Sequence, residues 1–456
     1  MGTLEKIYDV APIFFQNLMC TVSGYQKCRH RYGKVYDEYR EFLRNFDTWS
    51  EEEQLQYQKK ELQKFLQYAV EHSPFYAELY QNIDISEIRE IEDLKQLPIV
   101  DKEMLRINIE RVMTIPAEGA VEGHTGGTTG KSLVVRNTVE DSMRRMAMLD
   151  HFKERVGFEH RKMKRATFNG KHIVPPNQRK KVFWRYNASC RQMIYSSFHL
   201  TEENMGAYVD SLNHFKPDAI DGFFTSMCDV ASYIERHDRK LKFQPVAIFP
   251  TSETLTPEGR MQLERVFRCK VYDQYASSEG APFVTECPNQ VLHIELASGV
   301  FEYLSPDDTE ILVTSFTTHG TPLIRYRIGD RMKFAEKNRC SCGLHSPVVE
   351  EIQGRRLDFL YTPDGAKINA GNVSNLLKNL PNVVIRAQFI QKAMNEITVL
   401  LEVEKELYTE EHEKLLREEF LHKFGADMKV NIKIVDEIPR EKSGKFRMIK
   451  NMVDED

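Results

Sequence analysis

A chain of 456 residues is longer than one simple hydrophobic core requires, so two or three domains are expected. Its composition, 41% hydrophobic and 29% charged, is that of an ordinary globular protein and too apolar for disorder. A net charge of −5 argues against a nucleic-acid-binding module, and no stretch reaches the roughly 18 continuous apolar residues of a membrane-spanning helix.

The apolar segment at residues 7–22 is interrupted by Asp9, Pro12, Gln16 and Asn17, and no small-residue cleavage site follows it. It reads as a helix that docks on the body or lies at a membrane surface, with docking favoured. An uncleaved chain with eight cysteines is expected in the cytoplasm, where thiols stay reduced. Residues 34–82 look helical, with Leu62, Phe65, Leu66, Ala69 and Val70 at helical spacing and Pro74 ending the run. A further helix is expected from Glu87, before Leu97-Pro98. Leu133, Val134 and Val135 suggest a strand or hairpin, and residues 140–154 a helix. Residues 160–200 are basic and turn-rich, with Pro175-Pro176 marking a loop; the runs at 161–165 and 179–181 read as solvated surface or loop.

Strands at 219–222, 246–250 and 270–275 then alternate with helices at 202–215, 226–237 and 257–267. That alternation implies βαβ units and a mainly parallel sheet, with its ligand site beyond the strand C-termini. From 291 to 334 the pattern turns extended, as at 310–315 and 331–334, and suggests a smaller β-rich subdomain. Beyond Gly354 the segments 385–390, 396–403, 410–424 and 430–435 form the pattern of an independent α+β cap.

Four motifs fall on this frame in a fixed order. Residues 121–132 (VEGHTGGTTGKS) form a loop of small residues ending in Lys, able to wrap a polyphosphate with backbone N–H groups. The loop misses the Walker A spacing, because the first Gly of that pattern is Thr125 here, so a standard P-loop kinase or GTPase is not the reading. The plain alternative is a hairpin turn. In YDQYASSE (residues 272–279), Tyr275 offers a flat face for a base, Ser278 a hydroxyl for a phosphate, and Glu279 a carboxylate for Mg²⁺. Asp330 in YRIGD, placed at a strand end, could accept two hydrogen bonds from a ribose diol. Lys445, in PREKSGKFR, could stabilise charge developing between a carboxylate and an α-phosphate. Together they point to an enzyme that splits ATP to make an acyl-adenylate.

A second constellation pairs Cys287 and His293 with Cys340 and Cys342. Three thiolates and one imidazole make a closed tetrahedral zinc set, normally structural, although the spacing is not that of a standard finger. The alternative is a set of unrelated buried thiols; zinc is favoured.

With these motifs the sequence resembles the adenylate-forming superfamily of acyl-CoA synthetases, peptide-synthetase adenylation domains and luciferases. Within it the chain is most similar to phenylacetate–coenzyme A ligases and to related ligases found with capsule or other polysaccharide genes. The resemblance implies an α/β fold: a large domain with mainly parallel sheets and a β-rich subdomain, plus a small α+β C-terminal cap. It suggests a helical extension over 1–60, an ATP- and acyl-binding domain over 61–353 and a mobile domain over 354–456.

It also implies roles by position. Thr125, Gly126, Gly127, Thr128, Thr129, Gly130 and Lys131 would hold the β- and γ-phosphates. Ser252 and Glu253 would line the adenine pocket, and Asp273 and Tyr275 would contact adenine. Ser278 would meet the α-phosphate, Glu279 bind Mg²⁺, Asp330 hold the ribose, Arg355 contact ribose or phosphate, and Lys445 act in adenylation. Gly126 stands for the usual Ser, Ala276 for a Gly, and Leu357 for the usual hinge Asp or Lys. The last departure bears on the second half-reaction more than on adenylation.

The implied activity is Mg·ATP-dependent, AMP-forming ligation of a small carboxylic acid, with coenzyme A as the default acceptor. An amine or hydroxyl of a sugar or carrier is the alternative acceptor, and a catalytically silent scaffold is the third reading. Phe168, Tyr195, Phe198, Phe223 and Phe224 suggest an aromatic or apolar acid. A homodimer is the usual outcome for a soluble oligomer.

Overall fold

The computed structural model describes all residues except 1–2, 126–132, 172, 176–177, 179, 306–307, 337–339, 354–358, 378–379, 381–382, 439–447 and 454–456. The first long helices are set by local signals. Ser50 and Glu53 form a capping box that starts helix Glu51–His72, and Ser73 caps the next helix, Pro74–Leu79, whose Pro occupies the first turn. Pro74 therefore ends one helix by beginning another. The helix expected from Glu87 is instead two 3₁₀ turns, Ile85–Glu87 and Ile91–Gln96. Asp84 and the Glu90–Asp93 box cap each turn locally, and Ile85, Ile88, Ile91, Leu94 and Leu97 recur every third residue, the period of a 3₁₀ rather than an α-helix.

Helix Lys34–Phe46 packs along helix Val139–Arg155, and its Tyr36, Leu43 and Phe46 share one buried core with Leu62, Phe65 and Leu66. Arg155 joins the layers, donating to Asp47 at 2.5 Å and to Glu295 at 2.5 Å.

The central sheet has six strands in the order Trp184–Asn187, Gln192–Ser196, Arg165–Asn169, Ala219–Phe223, Ala247–Thr251, Lys270–Val271. All neighbours pair in parallel except the first pair, an antiparallel edge. The mainly parallel sheet expected from the alternation is present. Residues 160–200, read from the sequence as turn-rich with no strand assigned, supply three of its strands. Their polar side chains find partners only in the fold: the Thr167 hydroxyl donates to Asp221 at 2.5 Å and accepts from Gln192 at 2.7 Å.

The β-rich subdomain is a seven-stranded antiparallel sheet: Gly299–Tyr303, Glu310–Ser315, Tyr326–Phe334, Val348–Gln353, Leu292–Ile294, Val284–Glu286, Gln274–Tyr275. The single strand expected over 270–275 is two strands, one in each sheet. Tyr272 and Asp273 form the corner, because the Asp273 N–H donates to Glu286 at 2.8 Å and turns the chain out of the parallel sheet.

The cap is a four-stranded sheet in the order Lys429–Ile434, Glu396–Val403, Val384–Ala393, Ile449–Asn451, covered by helix Glu410–Phe424. A small hairpin, Phe359–Tyr361 with Lys367–Asn369, precedes it. The cap rests on the large domain: Asn372 Nδ2 donates to Ser197 Oγ at 3.3 Å, Arg106 pairs with Glu404 at 3.2 Å, and Phe198 joins the cap's buried core.

Candidate active site at the junction of two sheets

The corner at Tyr272–Asp273 delivers residues 274–280 onto the ends of both sheets, which is where the candidate site lies. Tyr275, buried, directs its hydroxyl to Asp330 Oδ2 at 2.8 Å. Two residues far apart in sequence, each singled out by motif, are thus one hydrogen-bonded pair. Asp330 is not at a strand end, as the sequence reading had it. It sits within strand Tyr326–Phe334, where Leu312 faces Arg327 and Glu310 faces Arg331, so that Ile328, Gly329 and Asp330 bulge opposite Ile311. Gly329 takes φ +82° at this bulge, a conformation open to glycine, and the bulge re-aims Asp330 toward Tyr275.

The turn after Tyr275 is held from behind. Ser277 Oγ accepts from the N–H groups of Gly280 at 3.2 Å and Ala281 at 3.0 Å. Arg145 donates to the carbonyls of Gly280 at 2.8 Å and Ala281 at 3.0 Å, with its guanidinium 4.4 Å from the Phe283 ring centre. Burial lowers the Arg145 pKa to about 10, so it stays cationic at neutral pH. Ser278 is left exposed and Glu279 half-buried.

Glu279 faces Lys102, with Oε1 3.7 Å from Nζ. Lys102 arrives because Val100 pairs in parallel with Tyr326, its carbonyl accepting from Arg327 N–H at 2.8 Å. Sequence reasoning missed Lys102 and Arg145; neither lies in a patterned motif, and only the long-range pairing brings them in. A half-buried carboxylate next to the exposed Ser278 has the chemistry to hold Mg²⁺, which binds through carboxylate and phosphate oxygens.

The hairpin Val121–Thr125 with Leu133–Asn137 places Gly123 against the Ser278 carbonyl, so the phosphate-loop candidate is rooted beside the turn. Hairpin and site-flanking loop are thus compatible readings of one segment. Thr125 pairs with Leu133 through the backbone; Gly126, Gly127, Thr128, Thr129, Gly130 and Lys131 lie outside the described residues, as do Arg355, Leu357 and Lys445.

Ser252 and Glu253 follow strand Ala247–Thr251. Ser252 adopts φ +67°, a strained backbone for a serine, which swings Glu253 onto the N-terminus of helix Phe224–Arg236. There its carboxylate accepts from Thr225 N–H at 2.8 Å and from Thr225 Oγ1 at 2.9 Å. Burial pushes the Glu253 carboxyl up to about 7 against those hydrogen bonds. Asp273 is likewise pushed up to about 7, by burial first and the Glu286 charge second. Glu286 itself is held by Arg260 at 2.5 Å. Gln274 Nε2 reaches the Pro250 carbonyl at 3.4 Å, tying the 252–253 turn to the Tyr275 strand.

Of the aromatic residues suggested for the acid, Phe168 and Tyr195 are fully buried and stacked at 5.0 Å within the core, with Phe224 in the same cluster. These three pack within the core of the parallel sheet. Phe198 packs with the cap. Phe223, at the end of its strand, belongs to no core cluster among the described residues.

The second constellation comes together as read. The candidate ligand atoms of Cys287, His293, Cys340 and Cys342 lie within 4.8 Å of one another. Cys287 and Cys340 sulfurs are 3.6 Å apart, and Cys342 Sγ is 3.5 Å from His293 Nε2. His293 Nδ1 lies 3.0 Å from the Ser346 carbonyl, a partner that fixes Nε2 toward the sulfurs. Three sulfurs and one oriented imidazole fit a structural zinc ion.

The family model for the CapK C-terminal domain matches residues 360–452. Protein CapK of Staphylococcus aureus is 35% identical over 453 residues, spanning 99% of this chain and all of that protein. The chain belongs to the CapK family. Among solved structures, the fold of this CapK-family chain is similar to that of 2-hydroxyisobutyryl-CoA ligase in complex with 2-HIB-AMP and CoA in the thioesterification state. The TM-score is 0.57 at 18% identity, over 89% of this chain and 91% of that one. The same ligase in the postadenylation state with R3-HIB-AMP gives a TM-score of 0.56 at 16% identity, over the same shares. The fold is that of the adenylate-forming ligases, with its C-terminal cap.

Proposed function

We propose that this protein is an Mg·ATP-dependent, AMP-forming ligase that activates a small carboxylic acid as its acyl-adenylate. The observation that carries the proposal is the Tyr275–Asp330 pair beside Glu279 and Lys102, with the 121–137 hairpin rooted against Ser278. That arrangement supports reading Tyr275 as the contact to the base, Asp330 as the acceptor for the ribose, and Glu279 with Lys102 as the phosphate end. Asp330 orients the ribose, Tyr275 fixes Asp330 and offers its ring to adenine, and Asp273, Ser252 and Glu253 border the base. Thr125, the loop 126–131, Ser278 and Arg355 donate to the phosphates. Glu279 would hold Mg²⁺, which when bound neutralises phosphate charge. The acid's carboxylate oxygen attacks the α-phosphorus, the bond to the bridging oxygen breaks and pyrophosphate leaves; Lys445 stabilises the charge that develops.

The acyl group then passes to an acceptor. Coenzyme A is favoured by the likeness in fold to a CoA ligase, and an aromatic or apolar acid is suggested by Phe223. Transfer to an amine or hydroxyl of a sugar or carrier is favoured by Leu357 at the hinge position and by the resemblance to ligases of polysaccharide clusters. The four-residue set Cys287, His293, Cys340 and Cys342 would bind zinc and staple the β-rich subdomain.

ATP–pyrophosphate exchange across aryl, fatty and hydroxy acids, with Lys445→Ala as control, tests the proposal. Acid-dependent exchange lost in the control supports it; no exchange together with no ATP binding in titration sinks it in favour of a silent scaffold. AMP release that requires coenzyme A then separates the two acceptors.

A further inference from the structure

Helix Ile13–Arg29 is amphipathic in the reverse sense. Its polar and small residues face inward, along the antiparallel edge strand Trp184–Asn187 of the central sheet. Gln16 accepts from Arg185 Nε at 2.6 Å, Asn17 from Tyr186 N–H at 2.9 Å, and Thr21 from Ala188 N–H at 3.1 Å. Gly24 lies so close that a Cβ there would stand 2.4 Å from Asn187 Oδ1 and Ser189 Oγ. These contacts satisfy backbone donors that an uncovered sheet edge would present to solvent, which is why this face is polar.

The outer face is apolar. At 100° per residue, Phe14, Phe15, Leu18, Val22 and Tyr25 fall on one side, and Arg29 closes the row. Phe14 is 74% exposed, Leu18 53%, Val22 49% and Tyr25 57%; Val10, ending the preceding helix Thr3–Val10, is 85% exposed. A stripe of this kind would be expected to turn into a core, yet nothing among the described residues covers it. Contiguous exposed apolar surface of this sort marks an interaction site.

The charges indicate what the stripe meets. From Val10 to Tyr36 the sequence contains no Asp or Glu, while Lys27, Arg29, Arg31 and Lys34 add positive charge, in a protein whose net charge is −5. Arg29 and Arg31 are exposed at the end of the stripe, Lys27 is exposed on the opposite side of the helix, and Arg161 lies close by, its guanidinium 5.4 Å from the Tyr32 ring centre. Aromatic and aliphatic residues on one face with basic residues at its end, and no acid, are the features of a helix that lies in the plane of a bilayer interface and is drawn to anionic headgroups. Helix Ile13–Arg29 itself carries no acid, so pairing it with the same helix of a second copy would set nothing acidic from that helix against Arg29, and charge complementarity favours lipid.

We propose that the outer face of helix Ile13–Arg29, with Val10, docks the protein on an anionic membrane surface. The polar inner face remains bound to the sheet edge, so docking needs no unfolding, and the large domain would sit at the interface beside the helix.

The test uses the full-length protein in flotation with phosphatidylcholine vesicles, with and without about one third phosphatidylglycerol, the anionic fraction that raises surface potential. The expected result is binding to the anionic vesicles alone, weakened by raised salt. Phe14→Ser/Leu18→Ser/Val22→Ser should weaken it at least about tenfold, the scale expected when apolar anchors are removed. Arg29→Glu/Arg31→Glu should abolish the preference for anionic vesicles. All three side chains of the triple variant point to solvent, so an unchanged thermal midpoint is expected and serves as the folding control. Absence of binding by the wild-type protein overturns the proposal. Binding unaffected by either variant overturns the assignment to this helix. A wild-type dimer that becomes monomeric in the triple variant, without vesicle binding, assigns the face to a second copy instead.

Discussion

Replacing Tyr275 with Phe removes one oxygen and leaves the ring, so it isolates the hydroxyl that reaches Asp330 at 2.8 Å. A hydrogen bond to an ionised acceptor contributes about 1.5–3 kcal/mol. Asp330 is only partly shielded from water, which puts this bond near the lower end of that range. In the free protein the variant loses about 1 kcal/mol of stability or less, because water replaces part of the bond. When nucleotide binds, the ribose diol must then order an Asp330 side chain that the wild type holds in place. Ordering one rotamer-rich side chain costs about 0.5–1.5 kcal/mol, and tenfold in affinity corresponds to about 1.4 kcal/mol. The expected result is a rise of roughly three- to tenfold in the KM for ATP in pyrophosphate exchange at saturating acid, with kcat within about twofold. The comparison that decides the matter is 2′,3′-dideoxy-ATP, which lacks the diol. Wild type should discriminate against it, and Tyr275→Phe should discriminate less. If both nucleotides weaken equally and the discrimination stays intact, Tyr275 acts on the base alone and the assignment of Asp330 to the ribose through Tyr275 fails.

Arg155→Met leaves the half-buried Asp47 and Glu295 without their shared cation, and should cost up to about 3 kcal/mol in urea unfolding, the lower end of the range for a fully buried pair; adding Glu295→Met should recover part of the loss. Asp273 titrates near 7 in the folded protein and near 4 unfolded, so the folded state binds the extra proton between those values and stability falls as pH rises through that window. Asp273→Asn should therefore gain thermal midpoint relative to wild type at pH 8 but not at pH 4; an equal difference at both would refute the burial of this carboxyl. The purified protein should carry one zinc per chain by metal analysis, and Cys342→Ser should lose it and lower the thermal midpoint while leaving pyrophosphate exchange at 25 °C largely intact, as befits a structural site. Exchange that vanishes with the metal would move that ion into the active site.

Helices were legible wherever local signals agreed. Helix Pro257–Phe267 has Thr256 as cap and Pro257 in its first turn, and helix Glu410–Phe424 opens on acids and ends at Gly425. Strands Ala219–Phe223 and Ala247–Thr251 read as such because both faces of a parallel sheet are buried and the runs are apolar. Strands Arg165–Asn169 and Gln192–Ser196 did not, since Arg165, Thr167 and Gln192 are stabilised by partners such as Asp221 that no window of sequence contains. The site divides the same way. Tyr275, Glu279 and Asp330 lie in motifs, whereas Lys102 is brought in by a pairing across the whole domain, and the corner at Asp273 depends on Glu286, which itself depends on Arg260. The reversed helix Ile13–Arg29 was read for its apolar residues; that they would point outward follows only from the edge strand its polar face must satisfy.

The corner at Tyr272–Asp273 also separates duties. The strands ending at Asn169, Ser196 and Phe223 belong to one sheet, and Asp330 and Glu286 to the other. A swap of side chains around Phe223 is therefore anchored on a frame that Tyr275 and Asp330 do not share. Under the proposed function the molecule would be a socket with an interchangeable half: selectivity for the acid could be retuned, by evolution or in the laboratory, while the nucleotide half kept its shape.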